Sequence, residues 1–274
     1  MKQKFIKGDK ISIEKRFKDR DKLMRPLIKI YKNPVLVHAT PVNNLFKKIL
    51  IEGKLRVPEI KDKQIEHSYI ERMLGIYPCI FLSLGFMYAT AYEFKYSFIF
   101  DLNYLKKANY YKNSISYQAY KAVVKYWDEN EPSYLEKLAK KNKTCREVVN
   151  KFYNEEYRGK KKAMFDFWKV EKETFELIQK YPKNKILLNL IKKNVKERYI
   201  PYPASMKMAN EDCFSDNSPE VIIKKDINLL KDKFFLGFYI MGDIPKDIKS
   251  LLLKDYSDKI LFDGKKIRKI GELR

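Results

Sequence analysis

Apolar residues along this chain form short continuous runs in some segments and helix-spaced patterns in others. The run Val35–His38 predicts a strand, and residues 43–52 carry apolar positions at helical spacing, which predicts a helix that ends at Gly53. The charged residues 1–33 predict a helical or extended N-terminal arm. Further apolar runs predict the strands Cys79–Leu82, Tyr96–Leu102, Pro219–Ile223 and Phe234–Ile240.

The middle of the chain has a different pattern. Between residues 104 and 200 apolar side chains recur at helical spacing, with lysines between them and almost no glycine. Predicted strands lie before and after this block, and a last helix is predicted at about 246–253. The sequence therefore predicts one α+β domain over residues 1–274, with a helical insertion at residues 104–200.

The charge balance adds a candidate partner. The chain carries 58 Lys and Arg against 35 Asp and Glu, a formal net charge of +23. Such a surface attracts polyanions, so nucleic acid is an expected partner, and the basic cluster Arg158, Lys160, Lys161 and Lys162 is a candidate backbone contact. The abundance of Lys, Ile, Asn and Tyr also fits a codon bias toward A and T, which would produce the charge without any nucleic-acid role.

Other features of the composition argue against several classes of protein. No run approaches the roughly 20 apolar residues that a bilayer span needs, and the lysine-rich residues 1–10 lack the core of a signal peptide. We therefore expect a cytoplasmic protein with no membrane partner. Two histidines and three cysteines without ligand spacing predict no metal site, and no glycine-rich phosphate loop is present.

The chemistry-bearing candidates lie at the ends of predicted elements. His38 and Thr40 follow an apolar strand and precede a helix, an arrangement that commonly forms an anion or nucleotide pocket. Each candidate also has a structural explanation, as a hydrogen-bonded histidine, a turn or capping residue, a helix face on the core, or an exposed strand residue. The remaining candidates are Ser83, which is expected to open a turn after Cys79–Leu82, Tyr88 and Tyr92, four residues apart on a predicted helix, and Glu220, before an apolar Val-Ile-Ile run.

The order of these features is more specific than any one of them. The chain presents six features in sequence: His-x-Thr at a strand end, a helix ending in Gly-x-Leu, a strand with Phe-Leu-Ser, a helix with Ala and Tyr, the helical insertion, and Pro-Glu-Val-Ile-Ile. This succession resembles the ADP-ribosyltransferase-like superfamily of the histidine–tyrosine–glutamate type. Its first element is similar to the DarT family of DNA ADP-ribosyltransferase toxins. The matching elements cover about residues 34–102 and 218–240, and the resemblance implies a split β-sheet core.

The resemblance also implies a role for each matching residue, with NAD as co-substrate and no metal. Glu220 would be the catalytic carboxylate, and His38 would hold the ribose hydroxyls. The other implied NAD-binding residues are Thr40 on the adenosine part, Ser83 at the end of the strand that supports the nicotinamide pocket, Tyr88 or Tyr92 stacked on nicotinamide, and Arg72 at the phosphates or the acceptor.

The chain departs from the family pattern in two places. Residues 76–80 are mostly apolar where the DarT-like pattern has a more polar, arginine-bearing stretch. Ser218 stands two residues before Glu220, so the Glu-x-Glu signature of arginine-modifying enzymes is missing. Glu211 is a competing candidate for the catalytic carboxylate, and the acceptor stays open among DNA, RNA and protein.

Three functional hypotheses follow. The first is an NAD-dependent ADP-ribosyltransferase acting on nucleic acid, a toxin or defence effector with an antitoxin or regulatory protein as a possible partner. The second is an NAD-dependent RNA 2′-phosphotransferase, for which the sequence displays no clear cluster of phosphate-binding basic residues. The third is a non-catalytic basic nucleic-acid-binding protein in which His38 and Glu220 are structural.

Overall fold

The computed structural model describes residues 13–40, 43–58, 74, 76, 78–86, 94–112, 115, 184–214 and 219–273. Within these residues the helices are α1 (Ile13–Tyr31), α2 (Asn43–Glu52), α3 (Asn184–Lys196), α4 (Ala204–Asp212) and α5 (Lys246–Asp255), and 3₁₀ turns cover Leu102–Lys107 and Ile270–Glu272. The strands are β1 (Val35–Thr40), β2 (Lys54–Leu55), β3 (Ile80–Leu84), β4 (Tyr96–Asp101), β5 (Asn109–Tyr111), β6 (Tyr199–Ile200), β7 (Glu220–Ile223), β8 (Ile227–Asn228), β9 (Phe235–Ile240), β10 (Ile260–Phe262) and β11 (Ile267–Lys269).

One large mixed sheet organises the described residues, which confirms the α+β class. Nine strands lie in the order β11-β10-β9-β4-β1-β3-β7-β5-β6, and β2 pairs with β8 in a separate two-stranded sheet. The β9–β10 pair is parallel, and the other pairs are antiparallel. β1, β3 and β4 come before the 104–200 block in the chain, whereas β7, which pairs with β3, comes after it. The centre of the sheet therefore joins segments that are far apart in the sequence.

The ladder between β1 and β3 is short. β1 pairs with β4 over all six of its residues, whereas its register with β3 contains only Leu36 opposite Leu84 and Val37 opposite Ser83. β3 then pairs with β7 over four positions. The sheet is therefore continuous through this point but is held there by two residue pairs, and the C-terminal half of β1 separates from the N-terminal half of β3.

The structure departs from the predicted elements in several places. Cys79–Leu82 was expected to be a strand with Ser83 opening a turn, but β3 continues to Leu84 and contains Ser83. Within residues 104–200, expected to be helical, β5 and β6 are strands that belong to the main sheet. These strands are three and two residues long, too short to show a periodicity of their own. Residues 116–183 of the block lie outside the described residues.

An aromatic cluster covers one face of the sheet. Phe46 of α2 is fully buried and stacks on Tyr96 at a centroid distance of 4.4 Å, with Phe98 and Phe238 at 5.3 and 5.7 Å. Tyr256 at the end of α5 packs edge-on against Phe238 at 5.1 Å. Because these rings come from two helices and two strands, they fix α2 against the sheet, and α2 follows directly after the strand that carries His38.

The opposite face is covered by α1 and the turn after β3. Met24 and Leu27 of α1 are fully buried. A Cβ on Gly85 would lie 2.7 Å from the sulfur of Met24, so the helix packs directly on this turn. The N-terminal arm expected at residues 1–33 is therefore, over its described part, a helix that belongs to the core.

Candidate active site

Four strands contribute one residue each to a continuous row across the centre of the sheet. Val37 lies opposite Ser83, Ser83 lies opposite Glu220, and Glu220 lies opposite Tyr111. Directly opposed residues of neighbouring strands project from the same face. The row therefore brings the predicted catalytic carboxylate and the predicted nicotinamide-pocket serine side by side, together with a tyrosine that was not among the sequence candidates.

Glu220 is a buried carboxylate with a defined backbone partner. The residue is 7% exposed, and its Oε2 accepts the backbone N–H of Ile115 at 3.0 Å. Burial of an ionised carboxyl group is costly unless hydrogen bonds compensate it, and this N–H supplies one. Since Ile115 follows β5 in the chain, the position of this carboxylate depends on the segment directly after that strand.

Ser83 holds the same part of the sheet together. Its buried Oγ lies 2.8 Å from the carbonyl oxygen of Gly85 and 3.2 Å from that of Val37. The single hydroxyl hydrogen donates to one of these oxygens at a time. Ser83 therefore links β3 to β1 at the last pair of their ladder, beside Glu220.

His38 occupies the place where β1 and β3 part. Its Nδ1 lies 2.9 Å from the carbonyl oxygen of Phe81 on β3, and the ring is half-buried. A carbonyl oxygen only accepts, so Nδ1 carries the hydrogen and Nε2 is left as an acceptor. Burial lowers the pKa of His38 below its ordinary value of 6.5, against an opposing effect of the Phe81 carbonyl. The imidazole is thus held neutral.

Strand alternation separates His38 from the row of Glu220. His38 is adjacent to Val37 in sequence and pairs with Phe98, so its Cβ points to the opposite face of the sheet. Two strand spacings separate the backbones of His38 and Glu220, about 10 Å. The residues therefore lie within the length of a dinucleotide, and one molecule contacts both only by crossing the sheet where β1 and β3 part.

Thr40 ends β1 with an unsatisfied hydroxyl group. The residue is 1% exposed, and its Oγ1 has no hydrogen-bond partner among the residues that the structure describes. Buried polar groups nearly always find a partner, so this hydroxyl is a candidate contact for a ligand at the end of β1. α2 begins three residues later at Asn43, as the sequence predicts.

The structure separates the two carboxylate candidates. Glu211 lies on α4 with its side chain 57% exposed, at 3.9 Å from Lys207 in an exposed i,i+4 pair. It takes no part in the row of β1, β3, β7 and β5. Of the two glutamates, only Glu220 is buried beside Ser83.

The other sequence candidates lie outside the described residues. They are Arg72, Tyr88, Tyr92, Arg158, Lys160, Lys161 and Lys162. Conversely, sequence reasoning missed Tyr111, the Phe81 carbonyl and the Ile115 amide. Two of these three are backbone groups, which carry no sequence signal, and Tyr111 depends on a strand pairing that only the folded chain reveals.

Comparison of the chain with known protein families, curated proteins and solved structures finds no match. The described residues contain no cluster of His, Cys, Asp or Glu able to hold a metal ion. None of the helices in the described part of the chain is both long and apolar enough to span a bilayer.

Proposed function

We propose that this chain is an NAD-dependent ADP-ribosyltransferase that transfers ADP-ribose to a macromolecular acceptor, through an ADP-ribosyltransferase-like fold. One observation carries the proposal. The strands that bear His38, Ser83 and Glu220 are distant in the sequence, yet they are the adjacent strands β1, β3 and β7 of the sheet. The family resemblance requires that these three strands be neighbours in the sheet, and the local sequence of each strand does not determine this.

The groups on β1 suit a ribosyl ligand. The free acceptor Nε2 of His38 matches the hydroxyl donors of a ribose, since its Nδ1 is already bonded to Phe81. The Thr40 Oγ1, which lacks a partner in the described part of the chain, offers a donor and an acceptor at the end of the same strand. In the proposal, NAD crosses the sheet at the parting of β1 and β3, with its adenosine part toward Thr40 and its nicotinamide ribose toward Glu220.

The residue types then account for the chemistry. The bond between ribose and the nicotinamide nitrogen breaks, and its electron pair leaves with nicotinamide. The carboxylate of Glu220 stabilises the positive charge that develops on the ribose. A nucleophilic oxygen or nitrogen of the acceptor forms the new bond to the same ribose carbon, and Glu220 accepts the proton that the nucleophile loses. His38 orients the substrate and takes no proton.

Nucleic acid is the acceptor that the charge favours. The formal net charge of +23 draws DNA or RNA to the protein more strongly than it draws most proteins. The proposal includes the role of a cytoplasmic toxin or defence effector, since modification of nucleic acid damages the cell that contains it, and such an activity calls for an antitoxin or regulatory partner.

Transfer of label tests the proposal. The purified chain is incubated with NAD labelled in its adenylate part, together with single-stranded DNA, duplex DNA, RNA or a cell lysate. Covalent label on an acceptor, with nicotinamide released in equal amount, is the expected result. Absence of NAD turnover with all four acceptors would contradict the proposal and favour a basic nucleic-acid-binding protein without catalysis.

A further inference from the structure

A second site lies on the face of the sheet that carries Glu220. A cavity of about 320 Å³ opens between β5, β6 and α3, and the residues that define its chemistry are Asn109, Tyr111, Lys192, Lys196 and Tyr199. Nothing in the proposed transfer chemistry requires these groups. Aromatic rings combined with unpaired cations in one concave site are the features with which proteins bind single-stranded nucleic acid.

The two tyrosines form the aromatic wall. Tyr111 and Tyr199 are directly opposed on β5 and β6, and their ring centroids lie 5.6 Å apart with planes tilted by 53°. This spacing leaves no room for a base between the rings. Tyr199 is 39% exposed, so the open side of its ring is available for a base to stack upon.

Two lysines of α3 form the cationic wall. Lys192 and Lys196 are one helical turn apart and therefore lie on the same side of the helix, toward the cavity. Both are exposed, and neither forms an ion pair with a carboxylate in the described ranges. Within the described part of the chain, their charge is therefore available to neutralise phosphates.

Asn109 supplies a means of reading a base edge. It lies two residues before Tyr111 on β5, so both side chains project from the same face. Its amide group carries one acceptor oxygen and two donor hydrogens, which match the edges of unpaired bases. An acidic peptide would use the lysines but would leave the tyrosine face and this amide without a role.

We infer that this cavity binds one nucleotide of a single-stranded nucleic acid, with the base on Tyr199 and the flanking phosphates at Lys192 and Lys196. The site adjoins Glu220, which lies directly opposite Tyr111 on the same face. If the proposed transfer is also correct, the bound nucleotide is next to the acceptor position. Nucleotide binding at this cavity needs no NAD, so it can be tested independently of the proposed transfer reaction.

Fluorescence anisotropy with labelled oligonucleotides tests this inference without NAD. The probes are single-stranded DNA, single-stranded RNA of the same sequence, the corresponding DNA duplex, and a glutamate-rich peptide. The variants are Tyr199→Ala and the double change Lys192→Ala with Lys196→Ala. The matched controls are Tyr202→Ala, an exposed tyrosine outside the cavity, and Lys185→Ala with Lys193→Ala, two exposed lysines on the same helix.

Tyr199→Ala should weaken single-strand binding by about tenfold, while Tyr202→Ala changes it by less than about twofold. The Lys192 and Lys196 double variant should reduce the slope of log K against log salt by about 1.4, more than its control does. The ratio of DNA to RNA affinity identifies which strand the site takes. Equal effects of variants and controls, or peptide binding that depends on Tyr199 as strongly as oligonucleotide binding does, would overturn the inference.

Discussion

Ser83 on β3 lies directly opposite Glu220 on β7, at the last register position that β3 shares with β1 through Val37. The buried carboxylate and the buried hydroxyl thus share one face at the point where the central ladder of the sheet stops. At this point the strands hold both side chains in fixed positions, and the β1–β3 ladder ends beside them. This geometry allows the hydroxyl, the imidazole and the carboxylate to be tested separately.

Ser83→Ala should lower the free energy of unfolding by about 1–2 kcal/mol, because it removes a buried hydrogen bond to the Gly85 or Val37 carbonyl. Urea unfolding followed by circular dichroism measures the change. Ser250→Ala is the matched control, since its hydroxyl also donates to a backbone carbonyl but is exposed. The control should cost less than about 0.5 kcal/mol. Equal losses in the two variants would contradict a linking role for Ser83.

His38 should make the stability of the protein depend on pH. Its pKa in the folded protein lies below the ordinary 6.5, because burial disfavours the charged ring. Between these two values the unfolded chain binds more protons than the folded chain, so stability falls as the pH drops through 6.5 toward the folded pKa. The slope in this range approaches about 1.4 kcal/mol per pH unit.

His38→Gln isolates this contribution, because glutamine keeps an N–H donor for Phe81 but does not titrate. Urea unfolding of both proteins at several values between about pH 5 and 8 gives the comparison, and the other histidine, His67, is common to both. The stability advantage of the wild type over the variant should shrink as the pH falls. Parallel curves would show that His38 is not held neutral by its burial.

Gly237→Ala should be strongly destabilising. Gly237 lies on β9 with φ +152°, and a Cβ there would stand 2.0 Å from the carbonyl oxygen of Ile260 on β10. The oxygen belongs to the backbone of a paired strand and cannot move aside, so the loss should exceed about 2 kcal/mol. Gly242→Ala is the control, because φ is +79° there but nothing lies within 4 Å. A control as damaging as Gly237→Ala would contradict the close approach of β9 and β10.

The parts of the fold that could be predicted are those with a strong local signal. The spacing of Phe46, Ile49 and Leu50 and the stop at Gly53 predict α2 with the observed bounds Asn43–Glu52. β1 was predicted two residues short, because Ala39 and Thr40 look like a turn in sequence but continue the ladder with β4. β5 and β6 could not be predicted, because such short segments carry no pattern of their own. They are strands because β5 pairs with β7 and β6 pairs with β5.

The candidate site residues could be named from their order in the sequence, but their arrangement in space could not be predicted. His38, Thr40, Ser83 and Glu220 follow from strand ends and the family resemblance. Their arrangement depends on the register of β1, β3 and β7, which distant parts of the chain determine. The placement of His38 on the other face from Glu220 follows from the same register. The roles assigned to Arg72, Tyr88 and Tyr92 stay predictions.

The central claim is that the carboxylate of Glu220 is catalytic. Glu220→Gln removes the charge and the proton acceptor but keeps an oxygen that can accept the Ile115 N–H, so the fold should be preserved. Glu211→Gln is the matched control, because it makes the same chemical change at an exposed position on α4. Circular dichroism and urea unfolding confirm that both variants are folded before activity is compared.

The decisive measurement is the rate of ADP-ribose transfer from labelled NAD by these two folded variants and the parent chain, with the acceptor that the parent modifies. Glu220→Gln should reduce the rate by at least about a hundredfold, the scale expected for loss of electrostatic stabilisation and of a general base. Glu211→Gln should retain the parent rate. A fully active Glu220→Gln variant, or loss of activity in Glu211→Gln alone, would contradict the account.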